Sequence, residues 1–290
     1  NEKKDSMKDV KSLMKKRLQK GQMALLNSIA QIADRENVNI YVVGGFVRDL
    51  LLNIQNFDID LVVEGNGINF AETLAREFNG LAKSHVRFGT SVVTLKDQSR
   101  IDVAMARMEY YPHPGALPKV EGGSIEKDLS RRDFTVNSMA IKLNGQRAFC
   151  LIDFFNGEMD LKAGLIRVLH DQSFKEDPCR IFRAIRFEQR FKFCIEDRTR
   201  AFIKSTIESN LINQLSGARL MNEIKLILKE PEPVKCVDRM RELSLFQFFA
   251  PDISSNDSHW LVIKKIESVL AWAKMVPIPK KPDIWLVYFY

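Results

Sequence analysis

Apolar positions fall into two regimes along the chain. In the first half they come in short runs or in alternation. Ile40 to Val43 is an unbroken apolar run ending in Gly44-Gly45, the pattern of a buried strand that meets a tight turn. The stretch FDIDLVV predicts a second strand over Phe57 to Val63, and two more are expected at 90–96 and 100–106. A helix is expected at about 22–36. Phe70, Leu74 and Phe78, joined by Ala71 and Ala75, recur at helical spacing, with Gly80 as the stop. Residues 109–123 (EYYPHPGALPKVEGG) hold three prolines and three glycines and read as a long loop. After about residue 147 strand patterns nearly vanish. Helices are predicted at 178–190, 197–209, 216–229 and 233–243; the third has Ser216 as cap and Leu220, Ile224, Ile227 and Leu228 on one face. The pattern is that of an α+β chain with a mixed first half and an all-helical second half.

Composition narrows this little. At 290 residues, 45% hydrophobic and 28% charged, the chain is long enough for two packing units and too apolar for general disorder. Its net charge of +7 favours a polyanionic partner. Cys150, Cys179, Cys194 and Cys236 form no C-x-x-C pair, and the four histidines are scattered. Neither a zinc site nor a disulfide framework is expected, and free thiols suit a reducing compartment. The C-terminal run IWLVYFY is too short to span a bilayer and no secretory signal opens the chain, so a cytoplasmic location is expected. A start at Asn1 and an abrupt apolar end at Tyr290 suggest a piece of something longer.

The candidate chemistry lies in FDIDLVV. Successive strand residues face opposite ways, so Asp58 and Asp60 share one face while Phe57, Ile59 and Leu61 share the other. Two carboxylates that close repel unless a cation lies between them, and hard oxygen donors on a strand suit Mg²⁺. Two unrelated acids on a solvated face would give the same pattern. RIDVAMA adds Asp102, again off the apolar face. In YVVGGFVRDLL, Gly44-Gly45 before a helix would let backbone N–H groups approach a phosphate. Arg48 could reach the same phosphate, steadied by Asp49. A plain strand–helix turn explains the glycines equally well. Arg131 and Arg132 offer forked donors for phosphate oxygens. Around the helix after Asp177-Pro178, Arg180, Arg183, Arg186 and Arg190 fall on one face, a cationic stripe that would point at an anion or RNA. Asp177-Pro178 is itself a good cap and first-turn pair. Arg219 and Glu223 stand one turn apart and can pair.

In this order, GG at 44–45, D-x-D at 58 and 60, the strand acid Asp102, RRDFTVNSMAI (131–141) and EDPCRIFRAIRF (176–187) resemble the polymerase-beta nucleotidyltransferase superfamily. Within it they resemble the class II tRNA nucleotidyltransferases and bacterial poly(A) polymerases. EYYPHPGALPKV is most similar to the CCA-adding and A-adding branch of long multidomain proteins. Residues 1–20 are Lys-rich and read as a charged linker or a short solvated helix, so 1–21 is set apart as a basic linker. The resemblance implies a catalytic head over 22–147 with a small mixed or antiparallel sheet, a helical neck over 148–210 and a helical body over 211–290. It implies catalysis by Asp58, Asp60 and Asp102, with Mg²⁺ on Asp58 and Asp60 in a two-metal site. Gly44, Gly45, Arg48, Arg132, Asp133, Asn137, Asp177, Arg180 and Arg183 would bind the nucleotide. Arg132, Asp133 and Asn137 would take its sugar or triphosphate, and Asp177 and Arg180 would pair with the base. The loop at 109–123 would be the flexible loop needed for the final A, and LSGARLMNEIKLIL (215–228) a packing helix of the body. The implied partners are a tRNA 3′ end, ATP and CTP. Poly(A) synthesis and a silent RNA-binding module are the competing functions.

Overall fold

The computed structural model describes residues 8–55 and 58–250 and a few positions between 261 and 287. Phe57 and nearly all of IWLVYFY lie outside the described residues. The chain forms two units, one of residues 1–110 and 118–163, the other of 111–117 and 164–290.

The first unit opens with strand β1 (Lys8–Asp9) and helices α1 (Lys11–Arg17) and α2 (Lys20–Arg35). From Lys8 onward the linker reading is therefore corrected, and the alternative of a short helix holds at α1, though that helix is docked rather than solvated. Val10, Met14 and Leu18 are buried, β1 pairs with a strand near residue 150, and Arg17 donates to the backbone carbonyl of Leu51 at 3.0 Å. The lysines of this stretch hid an apolar i, i+4, i+8 stripe, which is what a helix needs to dock.

Strand β2 (Asn39–Val43), helix α3 (Gly45–Leu52), strand β3 (Ile59–Glu64), helix α4 (Gly67–Glu77) and strands β4 (Leu81–His85), β5 (Thr90–Thr94) and β6 (Arg100–Met105) follow. Strand β3 starts after Asp58, so the expected strand at 57–63 is shifted. The expected long loop is corrected too. Strands β7 (Arg107–Tyr110) and β8 (Lys119–Gly122) form an antiparallel ribbon, because Met108 and Val120 supply strand-forming positions on either side of the prolines. Helix α5 (Ile125–Ser130), strands β9 (Ala140–Lys142) and β10 (Cys150–Ile152) and helix α6 (Gly157–Ala163) complete the unit.

Eight strands make one mixed sheet in the order β1-β10-β9-β2-β3-β6-β5-β4, with β3 and β6 parallel and the other pairs antiparallel. Parallel pairing needs a crossover, and α4 with β4 and β5 supplies it. One sheet face packs Tyr41, Val43, Val62 and Ala140 against Ile125 and Leu129 of α5. By strand alternation Asp60 shares the face of Val62, so the predicted acids lie on the α5 side.

The second unit is mostly helical: α7 (Ser173–Glu176), α8 (Cys179–Phe191), α9 (Asp197–Glu208), α10 (Gly217–Leu228) and α11 (Pro233–Glu242). Short strands β11 (Leu165–Ile166) and β12 (Cys194–Ile195) pair in parallel, so the second half is not purely helical. Ser216 caps α10 as expected, accepting from the N–H of Arg219. No helix among the described residues is long and apolar enough to cross a membrane.

Candidate functional site

In the first unit, Asp60 and Asp102 stand directly opposite each other in the parallel β3–β6 pair. Adjacent strands run about 4.8 Å apart, so the two carboxylates leave the sheet side by side. Asp58, exposed, lies just ahead of β3. Asp60 is half-buried, and its carboxyl is pushed from the usual 3.8 up to about 6. Burial is the largest cause. The charge of Asp102 comes next, and Asp58 adds to it, while Arg132 and Arg48 pull the other way. Asp102 is also raised, by burial first and by Asp58 against the opposing Arg100. One carboxylate thus feels two other acids and two arginines that are distant in sequence.

Among the described residues, no three His, Cys, Asp or Glu side chains close into a metal cage. The donors present are nevertheless hard carboxylate oxygens short of positive charge. A cation that keeps much of its shell for water and phosphate oxygens, as Mg²⁺ does, fits such a pair.

Beside the acids, Gly44 ends β2 with φ at +63°, a conformation that side chains other than glycine adopt at a cost, and Gly45 opens α3. A Cβ on Gly44 would sit 2.8 Å from Nη1 of Arg132. The turn is therefore shaped to let that guanidinium approach the backbone.

Arg48 is buried. Its Nε donates to Asp49 at 2.8 Å, as expected, and its Nη1 donates to Oδ1 of Asn137 at 2.7 Å. Asn137 in turn donates to Asp133 at 3.0 Å, and Asp133 also accepts from the N–H of Phe134 at 2.8 Å. Arg48, Asp133 and Asn137 are thus brought into one hydrogen-bonded chain behind the glycine turn. In that chain Arg48 is engaged with protein groups rather than extended toward solvent.

Arg131 and Arg132 converge on Asp128, which is fully buried. Arg131 donates through Nε and Nη2 to Oδ1 at 3.1 and 2.6 Å; Arg132 donates through the same two nitrogens to Oδ2 at 3.2 and 2.9 Å. Burial alone would raise the Asp128 carboxyl, but the two guanidiniums more than offset it and hold it below the usual value. Sequence reasoning missed Asp128. Its signal was the i+3 and i+4 spacing to the two arginines.

In the second unit, Asp177 accepts from the N–H of Cys179 at 3.0 Å and from Nη2 of Arg219 at 2.8 Å, both at Oδ1. The same Arg219 donates through Nη1 to the carbonyl of Gly115 at 2.7 Å. The expected Arg219–Glu223 pair is therefore replaced by Arg219–Asp177, and Glu223 lies 3.5 Å from Arg186 instead. Burial pushes the Cys179 thiol up to about 12, with Asp177 adding to the shift.

The cationic stripe on α8 is corrected as well. Arg180 is buried and donates to Ser173 Oγ at 2.7 Å, Arg186 is buried between Glu223 and Glu230, and Arg190 donates to Glu230 at 2.7 Å. Helical spacing reported where the arginines lie, but the acids that neutralise Arg186 and Arg190 come from residue 223 onward. Arg183 and Arg219, with Asp177, Asn222 and Glu223, line a cavity of about 430 Å³.

Residues 40–167 match the family described as "Poly A polymerase head domain", and residues 192–256 match "Probable RNA and SrmB- binding site of polymerase A". An A-adding tRNA nucleotidyltransferase of Geobacter sulfurreducens is 45% identical over 282 residues, covering 97% of this chain and 32% of that protein. The chain thus spans about a third of that relative's length. A CCA-adding enzyme in an apo form superposes with a TM-score of 0.90 at 42% identity, over 98% of this chain and 66% of that one. A tRNA nucleotidyltransferase complexed with a primer tRNA and an incoming ATP analogue gives a TM-score of 0.79 at 34% identity, over 90% of this chain and 73% of that one.

Proposed function

Since the chain belongs to the poly(A) polymerase head-domain family, which includes the tRNA nucleotidyltransferases, we propose that it adds the terminal A, or CCA, to the 3′ end of tRNA, with release of pyrophosphate. The observation that carries the reading is the charge environment of Asp60. A half-buried carboxylate beside Asp102 and Asp58 faces two arginines and a glycine turn. RNA binding alone has no use for such acids, which counts against a silent binding module. A tRNA substrate also implies a cytoplasmic location.

In the reaction the RNA 3′-hydroxyl attacks the α-phosphorus and pyrophosphate leaves. Divalent cations, two Mg²⁺ on this reading, would be held by Asp58 and Asp60 with Asp102 alongside, and when bound they neutralise phosphate charge and acidify the hydroxyl. The protein's own part is positioning. The Gly44-Gly45 turn brings backbone N–H groups at the start of α3 to the triphosphate, and Arg132 adds a charged donor there. The buried Arg48–Asn137–Asp133 chain keeps the turn and the RRDF segment in register. Asp177 accepts from the exocyclic amine of A or C, and Arg180 donates to the ring edge. A base presenting a carbonyl at that place would leave buried polar groups unpaired, at about 1–3 kcal/mol each.

The test is extension of tRNA transcripts that end before C, after C and after CC, with ATP and CTP supplied separately. A single A added only to the CC-ended transcript supports A addition, stepwise growth supports CCA addition, and long A tails would indicate a poly(A) polymerase. Asp58→Ala and Asp60→Ala should each abolish incorporation. Full activity in either variant would defeat the assignment of those acids.

A further inference from the structure

We infer that Asp128 is a positioning residue of the triphosphate site: it aims Nη1 of Arg132 at the Gly44 turn and sets Arg131 to a separate task. The inference rests on the reading of the Gly44–Arg132 corner as the place where phosphate oxygens bind.

The argument begins with two adjacent arginines on one buried carboxylate. Each oxygen of Asp128 takes one guanidinium, and each guanidinium spends its Nε–Nη2 edge there. Only Nη1 of each remains to be directed elsewhere. For Arg131 it reaches Glu109 at 2.7 Å. Glu109 also accepts from Arg107 at 3.0 Å, so Arg131 is tied to the base of the β7–β8 ribbon. For Arg132, Nη1 lies 2.8 Å from where a Cβ on Gly44 would be. The carboxylate thus sorts two chemically identical side chains, one anchoring the ribbon and one facing the turn.

The placement suits this purpose. Asp128 is on α5, whose Ile125 and Leu129 pack on the sheet face that carries Asp60, and the Ile125 N–H donates to Glu64 on β3 at 2.7 Å. The helix is therefore fastened to the strand of the acids. A long arginine held at its Nε–Nη2 edge gives up its rotamer freedom before the ligand arrives, which is what preorganisation of a charged donor requires. Without Asp128 the guanidinium would have to be ordered by the ligand itself.

The test measures the affinity of inorganic tripolyphosphate, in the presence of Mg²⁺, by calorimetry. Arg132→Gln should weaken it roughly tenfold, the loss expected for one charge-assisted donor. Asp128→Asn should weaken it by a similar factor, and the double variant should be little worse than the weaker single variant, because both changes remove one aimed donor. Asn144→Ala, which removes a buried hydrogen bond to Ile40 at the far end of β2, should lower Tm but leave the affinity unchanged. If Asp128→Asn binds as well as the wild type, or if the two losses multiply, Asp128 serves the fold only and the inference fails. Should Asp128→Asn not fold, Asp128→Glu keeps the charge but moves both forks; unchanged affinity in that variant would overturn the inference equally. Unchanged binding in Arg132→Gln would overturn the phosphate reading itself.

Discussion

Two residues show how local chemistry and site function meet. Asp60 sits near pH 6 because it is partly buried beside other acids, so it is largely neutral at pH 5 and charged at pH 8. A carboxyl raised above its unfolded value stabilises the fold at low pH and loses that contribution as the pH rises through about 6. Added Mg²⁺ should therefore raise Tm little at pH 5 and markedly more at pH 8, and Asp60→Asn should shrink that difference; thermal scans at the two pH values check this. Gly44 carries a second constraint. Its φ of +63° and the Arg132 nitrogen 2.8 Å from a would-be Cβ leave no room for a side chain. Gly44→Ala should cost about 1 kcal/mol or more in stability and weaken ATP binding, read by urea denaturation and by KM for ATP.

At the scale of elements, the second unit ties three segments through one guanidinium. Arg219, near the start of α10, holds the Asp177 carboxylate ahead of α8 and the Gly115 carbonyl in the 111–117 segment. Helical periodicity read Arg219 only as a partner for Glu223, since spacing within one helix says nothing about what packs against it. If Asp177 reads the base, its orientation depends on this contact. Arg219→Gln should raise incorporation of U or G relative to A by about tenfold while ATP incorporation falls less, as measured by the ratios of kcat/KM. An equal loss for all four nucleotides would point to packing alone.

Across the whole molecule, the ends of the first unit meet in its sheet. Strand β1 pairs with β10, and α1 buries Met14 completely, so the basic N-terminal stretch from Lys8 is part of the first unit. Met14→Ala should destabilise by about 2–5 kcal/mol, measured as a shift in the urea midpoint. A residue in a solvated linker would show no such loss. The division into units likewise falls at 163/164, and strand β10 with α6 belongs with the first unit rather than with a helical neck starting at 148.

What the sequence determined by itself was everything set by local periodicity and short-range chemistry. The buried run before Gly44, the helices from 179 to 242 with the Ser216 cap, and the carboxylates at 58, 60 and 102 could all be read because their patterns repeat within a few residues. Only the tertiary structure decided which charges meet. It put Asp60 opposite Asp102 across a parallel crossover and gave Asp128 both arginines. It took Arg219 away from Glu223 and neutralised half of the α8 stripe, Arg186 and Arg190, with Glu223 and Glu230. Partners in a folded chain are chosen by packing between distant segments, and a pattern along one segment carries no record of its neighbour.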